Sequence, residues 1–186
     1  TKNADESIRA LAEVALIAQI RRWLGALAPT SPQGMGDDCA VVDWPKGMKQ
    51  ILTTDSLSYG QHFDDSVSAH DAGAKLIKRN LSDIAAMGGR PGEALLNLLC
   101  GGDLQTDWLA AFFDGICDAC QEYDLPIVGG DISTLPNGQF TAVLSLTGYS
   151  EKTPLLRKGA QAGDALYVTG TLGGSLLKKH YNFKPR

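Results

Sequence analysis

A chain of 186 residues, 44% hydrophobic and 20% charged, holds apolar material for one sizeable globular domain and a little more. Its formal net charge of −4, from 17 basic and 21 acidic residues, argues against a broad grip on nucleic acid or an anionic membrane. No apolar run reaches the ~18 residues of a spanning helix, so neither partner is expected.

Residues 7–28, "SIRALAEVALIAQIRRWLGALA", have helical spacing at Ile8, Leu11, Ala15, Ala18 and Arg22, and Pro29 closes them. A Pro/Gly loop over 29–38 leads to short strands near 39–43 and 50–55, split by the turn "WPKGMK". A second helix over 69–87 ends at Gly88, Gly89 and Pro91. "EALLNLLC" is the next strand, and 106–123 the third helix. "LPIVGGD" is a short buried strand stopped by its Gly pair, and "GQFTAVLSLTGYS" is a longer alternating one. "DALYVTG" is a last strand, entering "TLGGSLLKK". Interleaved helices with hairpin-like strand pairs predict an α+β fold: a mixed β-sheet with helices packed on one face. Residues 1–150 are expected to form one domain, and 151–186 a linker and the truncated start of another.

The cysteines are Cys39, Cys100, Cys117 and Cys120. "CDAC" falls inside the third helix, away from the strand-to-helix junction of a redox motif. The histidines at 62, 70 and 180 are too scattered to complete a zinc site. Small buried helix residues with reduced thiols, in a cytoplasmic protein, is the reading that follows. The N-terminus "TKNADESIRA" lacks the basic-then-apolar order of a secretory signal.

The acidic residues carry the chemistry. Asp37 and Asp38 stand in "GMGDDCAVV", Asp55 follows "ILTT", Asp83 lies in "RNLSDIAAMGG" and Asp131 ends "IVGGD". On a helix, Ala72, Leu76, Asn80, Asp83 and Met87 share one stripe, so Asn80 and Asp83 are expected to be at least partly buried. A buried carboxylate needs a cation or a proton. Lys75, Lys78 and Arg79 are local partners for Asp83. Asp55 and Asp131 are read at the C-terminal ends of strands, where ligands commonly bind; helix caps and turns are the alternative there and at Asp37–Asp38. Taken jointly, carboxylates with the Thr53 and Thr54 hydroxyls form an oxygen-only donor set suited to Mg²⁺. Asp38, Asp55, Asp83 and Asp131 are then expected to converge around divalent ions holding a triphosphate. "GTLGGS" at 170–175 lacks the Lys of a P-loop and reads as a tight turn. His62 in its polar loop and Arg157 are candidate ligand contacts, with plain surface exposure as the alternative.

Five stretches in order, "GMGDDCAVV", "TTDSLSYGQHF", "NLSDIAAMGGRP", "LPIVGGDIS" and "LRKGAQAGDALYVTGTLGGS", resemble the thiamine-monophosphate kinase family, in the superfamily of aminoimidazole ribonucleotide synthetase and selenophosphate synthetase. "TTDSL" with "HF" shortly after favours the kinase within that superfamily. The resemblance implies ATP- and Mg²⁺-dependent phosphorylation of thiamine monophosphate to thiamine diphosphate, with no covalent catalytic residue. By position it implies Asp38, Thr53, Thr54, Asp55, Asp83 and Asp131 as metal ligands. Gly130, Asp131 and Arg157 fall in the ATP site. Phe113 stands where some relatives have a Tyr beside the adenine, and His62 contacts thiamine monophosphate. A homodimer through the N-terminal domains is implied as well. The family's second domain, nearly absent here, adds a further metal-binding Asp and most of the thiamine pocket, so these residues alone are expected to turn over poorly. The alternatives are another ATP-dependent enzyme of the superfamily with a different acceptor, or a dimerising nucleotide-binding module without catalysis.

Overall fold

The order of elements is α1 (Glu13–Leu24), a 3₁₀ turn (Gly25–Leu27), β1 (Lys49–Ser58), α2 (Ala69–Ala86), β2 (Arg90–Gly101), α3 (Thr106–Glu122), β3 (Ile127–Leu135) and β4 (Phe140–Ser150). They belong to a computed structural model that describes residues 13–30, 46–156 and 159–168. The expected strand at 39–43 and the start of the first helix lie outside the described residues.

Among the described residues the sheet has four strands in the order β1-β4-β2-β3. β4 pairs antiparallel with both β1 and β2, while β2 and β3 run parallel and are joined through α3. A parallel neighbour demands such a crossover, which the 17-residue helix α3 supplies. Phe140, Ala142, Leu144 and Leu146 of β4 are all buried, as the period of two requires for one covered face. Each of those Leu and Phe side chains contributes roughly 1.5–3 kcal/mol by leaving water. The expected mixed sheet with helices on one face is the architecture observed.

α2 begins where Ser68 Oγ accepts from the Asp71 amide at 3.0 Å, with Asp71 in the positive first turn. It ends where Gly88 takes φ +68°, which lets the amides of Gly88 and Gly89 turn back onto Ala85 and Ile84. α2 and α3 cross backbone against backbone. A Cβ on Gly73 would stand 2.0 Å from the Phe112 carbonyl oxygen, and one on Gly115 1.9 Å from that of His70. Helix α1 lies against α3, where Trp23 stacks on Phe113 at 5.4 Å between ring centroids.

Three strand boundaries differ from expectation. β1 does not stop at Asp55, because pairing with β4 continues to Ser58 opposite Thr141. β3 passes through the Gly pair and runs on to Leu135. Gly130 does not break that strand: a Cβ there would lie 1.8 Å from the Leu96 carbonyl oxygen, so glycine is what lets β3 approach β2. Residues 164–168 are not in a strand, and Leu166 is 97% exposed.

Candidate active site at the margin of β1 and α2

Lys75, Arg79 and Asp83 are spaced i, i+4, i+8 on α2, so they form one row along the helix. That row runs beside β1 in the opposite direction. Asp83 Oδ2 accepts a hydrogen bond from Thr53 Oγ1 at 2.8 Å. One turn earlier, the Arg79 guanidinium contacts both Asp55 oxygens, at 2.9 Å to Oδ1 and 2.8 Å to Oδ2. Its other terminal nitrogen donates to the Ser56 carbonyl at 2.8 Å. One turn earlier again, Lys75 Nζ donates to the His62 carbonyl at 2.7 Å. The strand period explains which β1 residues meet the helix: Thr53 and Asp55 share its face, and Thr54 cannot.

The Asp55–Arg79 pair is half-buried on both sides, and one guanidinium nitrogen sits against both carboxylate oxygens, which fixes the carboxylate's orientation more firmly than a surface ion pair does. Asp55 Oδ1 also accepts from the Ser56 amide at 2.9 Å. Asp83, by contrast, is exposed. The apolar-stripe argument fails for Asp83 because it sits at the stripe's edge, where the Thr53 hydroxyl reaches it. It holds for Asn80, which is fully buried, with Nδ2 donating to the Leu76 carbonyl at 3.0 Å and Oδ1 unpartnered among the described residues. Arg79 and Lys78 are not Asp83's partners either: Lys78 pairs with Glu122 at 2.9 Å.

His62 lies in the tight turn after β1. Its Nδ1 accepts from the Ser58 amide at 2.9 Å, so a neutral ring carries its proton on Nε2. Burial and then the Arg79 and Lys75 charges push the His62 pKa below its ordinary value, against the opposite pull of Asp55. Lys75 is 4% exposed, and burial followed by Arg79 lowers its pKa from 10.5 to about 8. Between those two values the unfolded chain holds more protons than the folded one, so this lysine makes stability rise with pH across that window. The melting temperature of the wild type minus that of Lys75→Met is therefore expected to become more positive from about pH 8 to about pH 10, as read by thermal unfolding in parallel buffers.

The remaining expected site residues are dispersed. Asp37, Asp38, Arg157 and the "GTLGGS" turn lie outside the described residues. Thr54 faces the other side of the sheet, where its hydroxyl donates to the Leu144 carbonyl at 3.0 Å. Asp131 is interior to β3, paired in register with Asn97, and its carboxylate accepts from Ser133 Oγ at 3.0 Å. β3 and β1 are opposite edges of the sheet, roughly 14 Å apart at ordinary strand spacing. Asp131 also lies on the face away from α2, so it does not join Asp55 and Asp83 within one chain. Among the described residues, no three His, Cys, Asp or Glu side chains are grouped closely enough to hold a metal ion. Of the four carboxylates expected to converge, Asp131 stands apart from Asp55 and Asp83 within one chain, and Asp38 lies outside the described residues. Phe113 is fully enclosed between Trp23 and Phe112, which leaves no ring face for a base; it is a core residue.

The cysteines behave as the helix position predicts. Cys117 Sγ donates to the Trp23 carbonyl at 3.3 Å, and burial pushes the Cys120 thiol up to about 12. No described helix is long and apolar enough to cross a membrane. Sequence reasoning missed the role of Arg79 and Lys75, though the i, i+4, i+8 row of ionic residues on α2 was the available signal.

This margin falls inside a region with known relatives. The N-terminal domain of "AIR synthase related protein" matches residues 36–150. A thiamine-monophosphate kinase of Rhodopirellula baltica is 41% identical over 85% of this chain and 52% of its own length. That of Escherichia coli K12 is 37% identical over 76% of this chain and 43% of its own. The chain thus spans about half the length of the curated relatives it matches. Among solved structures, "AaThiL complexed with AMPPCP and TMP" superposes with a TM-score of 0.60 at 35% identity, over 84% of this chain and 47% of that one. The Stenotrophomonas maltophilia thiamine-monophosphate kinase reaches a TM-score of 0.67 at 34% identity, over 83% and 48%. A match that takes in β1, α2 and every other strand of the sheet decides the membership: the chain belongs to the AIR synthase related family and carries its N-terminal domain.

Proposed function

We propose that this chain is the ATP- and Mg²⁺-binding part of a thiamine-monophosphate kinase, which transfers the γ-phosphoryl group of ATP to thiamine monophosphate. The observation that carries the reading is the hydroxyl–carboxylate pair of Thr53 and Asp83 beside an Arg-held Asp55. It lies in a stretch shared with kinases, and a related structure was solved with AMPPCP and TMP.

The donor chemistry suits a hard cation. Thr53, Asp55 and Asp83 offer only oxygens, and all three lie on the margin of β1 and α2. Asp38 is proposed as a further ligand on the strength of the resemblance. Mg²⁺ bound there would neutralise phosphate charge that the protein's own carboxylates repel. Arg79 holds Asp55 in one orientation, and its cationic charge lessens the repulsion between Asp55 and an approaching phosphate. The neutral His62 ring presents Nε2–H as a donor to the acceptor's phosphate. Transfer is direct and in line, since no activated nucleophile stands among the described residues of this margin. Gly130 and Asp131 contribute to the nucleotide site from the other face of the sheet, and Arg157 grips phosphate.

The uncovered face favours a homodimer. Leu52, 69% exposed, and Leu95 lie there together with Thr54, Asn97, Ser145 and Asp131, and no described element covers them. Pairing of two such sheets would bring Asp131 of one chain toward the other chain's site. Residues 1–150 are proposed as this nucleotide-binding and dimerising domain of a cytoplasmic enzyme, and 151–186 as the entry to a second domain that completes the thiamine pocket. A coupled assay on the full-length protein tests the reading. ADP release is expected to require both Mg²⁺ and thiamine monophosphate, with no ³²P retained on protein after incubation with γ-labelled ATP. ADP release that other acceptors support equally well, or labelled protein, would replace it.

A further inference from the structure

A lysine with 4% exposure in a helix that needs no charge there requires a reason. Methionine would fill the same volume without a desolvation cost. Lys75 lies between the buried residues Ala74 and Leu76, and its ammonium donates to the His62 carbonyl oxygen at 2.7 Å. That carbonyl belongs to a turn already restrained from two other sides. The His62 amide donates to the Ser58 carbonyl at 2.9 Å, and the Ser58 amide donates back to His62 Nδ1 at 2.9 Å. Gly60, at φ +79°, donates to the Phe63 carbonyl at 2.8 Å. Phe63 itself is buried, edge-on to Phe140 and stacked with Trp108. The aromatic anchor fixes one end of the turn and β1 the other, and Lys75 pins the residue between them from below.

We propose that Lys75 is a positioning residue for the acceptor-phosphate contact: its hydrogen bond to the His62 carbonyl holds the turn so that the His62 ring stays locked on the Ser58 amide through Nδ1 and offers Nε2–H outward. The inference rests on the reading of His62 as an acceptor contact. Loss of the bond frees the peptide of His62 to rotate and lets the ring exchange tautomers, so the donor is presented only part of the time. The groups proposed for metal and triphosphate lie further along the same margin and keep their own partners, Asp55 on Arg79 and Asp83 on Thr53.

The test uses the full-length enzyme with Lys75→Met and Lys75→Gln. Lys75→Met is expected to raise KM for thiamine monophosphate about tenfold, with kcat and KM for ATP within about twofold of wild type. Lys75→Gln, which keeps a donor on a shorter stem, is expected to fall between them and is read alone should the methionine variant not fold. Nitrogen-15 NMR of labelled histidine, assigned with His62→Gln, is expected to show His62 as a single Nε2–H tautomer in the wild type and a mixture in the variants. Equal rises in both KM values, or an unchanged His62 ring, would overturn the inference while leaving the kinase reading in place. A wild type inert toward thiamine monophosphate overturns the kinase reading and, with it, the acceptor role, whereas the ring spectra still decide whether Lys75 holds the turn.

Discussion

Asp83→Ala in the full-length protein is expected to lower kcat/KM for the proposed phosphoryl transfer by about two to three powers of ten. Its melting temperature should stay within about 2 °C of wild type. The asymmetry comes from where the carboxylate stands. Asp83 is exposed, and its carboxylate accepts from the Thr53 hydroxyl at a solvated margin. Removing it leaves no orphaned buried atom, so the fold loses a few tenths of a kcal/mol at most. An oxygen ligand facing a triphosphate is another matter, because every repelled phosphate charge must be met where it develops. Steady-state kinetics and differential scanning fluorimetry on the same preparation decide the point. Activity near wild type would remove Asp83 from the metal set, and a joint collapse of activity and melting temperature would make it structural. Arg79→Ala is the contrasting case. It strips both Asp55 oxygens and the Ser56 carbonyl of their partner at a half-buried site, so it should cost stability as well as rate.

Gly115→Val is expected to destabilise the fold by at least about 3 kcal/mol, enough to leave most of the protein insoluble or unfolded at growth temperature. The first side-chain carbon would fall 1.9 Å from the His70 carbonyl oxygen and 2.7 Å from its carbon, both backbone atoms of the neighbouring helix. No rotamer change relieves a clash with main chain. α2 would have to lift off α3, and with it Gly73 would leave the Phe112 carbonyl. Asp114→Val one residue earlier is the control: that position is exposed, and the substitution should cost only a few tenths of a kcal/mol of helix propensity. Urea unfolding followed by circular dichroism compares the two. Similar midpoints for both variants would show that the helices can part without loss.

The parts of the fold written in short-range chemistry were legible. Helices over 69–87 and 106–123 come within a residue of α2 and α3, because apolar period, caps and glycine stops all act within a few residues of the chain. The acidic strand residues were harder. Asp55 and Asp131 read as strand ends because carboxylates and glycine usually mark turns, yet both strands run on for three or four residues. What carries them on is pairing with distant partners, and no local signal announces that Asp55 will lie opposite Leu144. The same limit applies to the site. A shared period placed Asp83 with Asn80, and depth separated them, since depth depends on what lies above a helix. That Arg79 would choose Asp55, 24 residues away, is a fact of how α2 lies on β1. Likewise Thr54 and Asp131 carry the right atoms and fall on the wrong side of the sheet for a single-chain cluster. The resemblance pointed to a family, and the family match over residues 36–150 is what geometry alone in one chain could not supply.

Strand β4 comes last of the four strands in the chain and yet lies between β1 and β2. A ribosome therefore delivers the keystone after the stones on either side. Until residue 150 has left the exit tunnel, β1 has no sheet neighbour among the described residues and β2 has only β3, so those strand edges stay unsatisfied through most of synthesis. The Lys75, Arg79 and Asp83 row would be the earliest long-lived grip on β1, fastening it to α2 while it waits. The same polar row that lines the candidate site would then also act as a guard for the nascent chain.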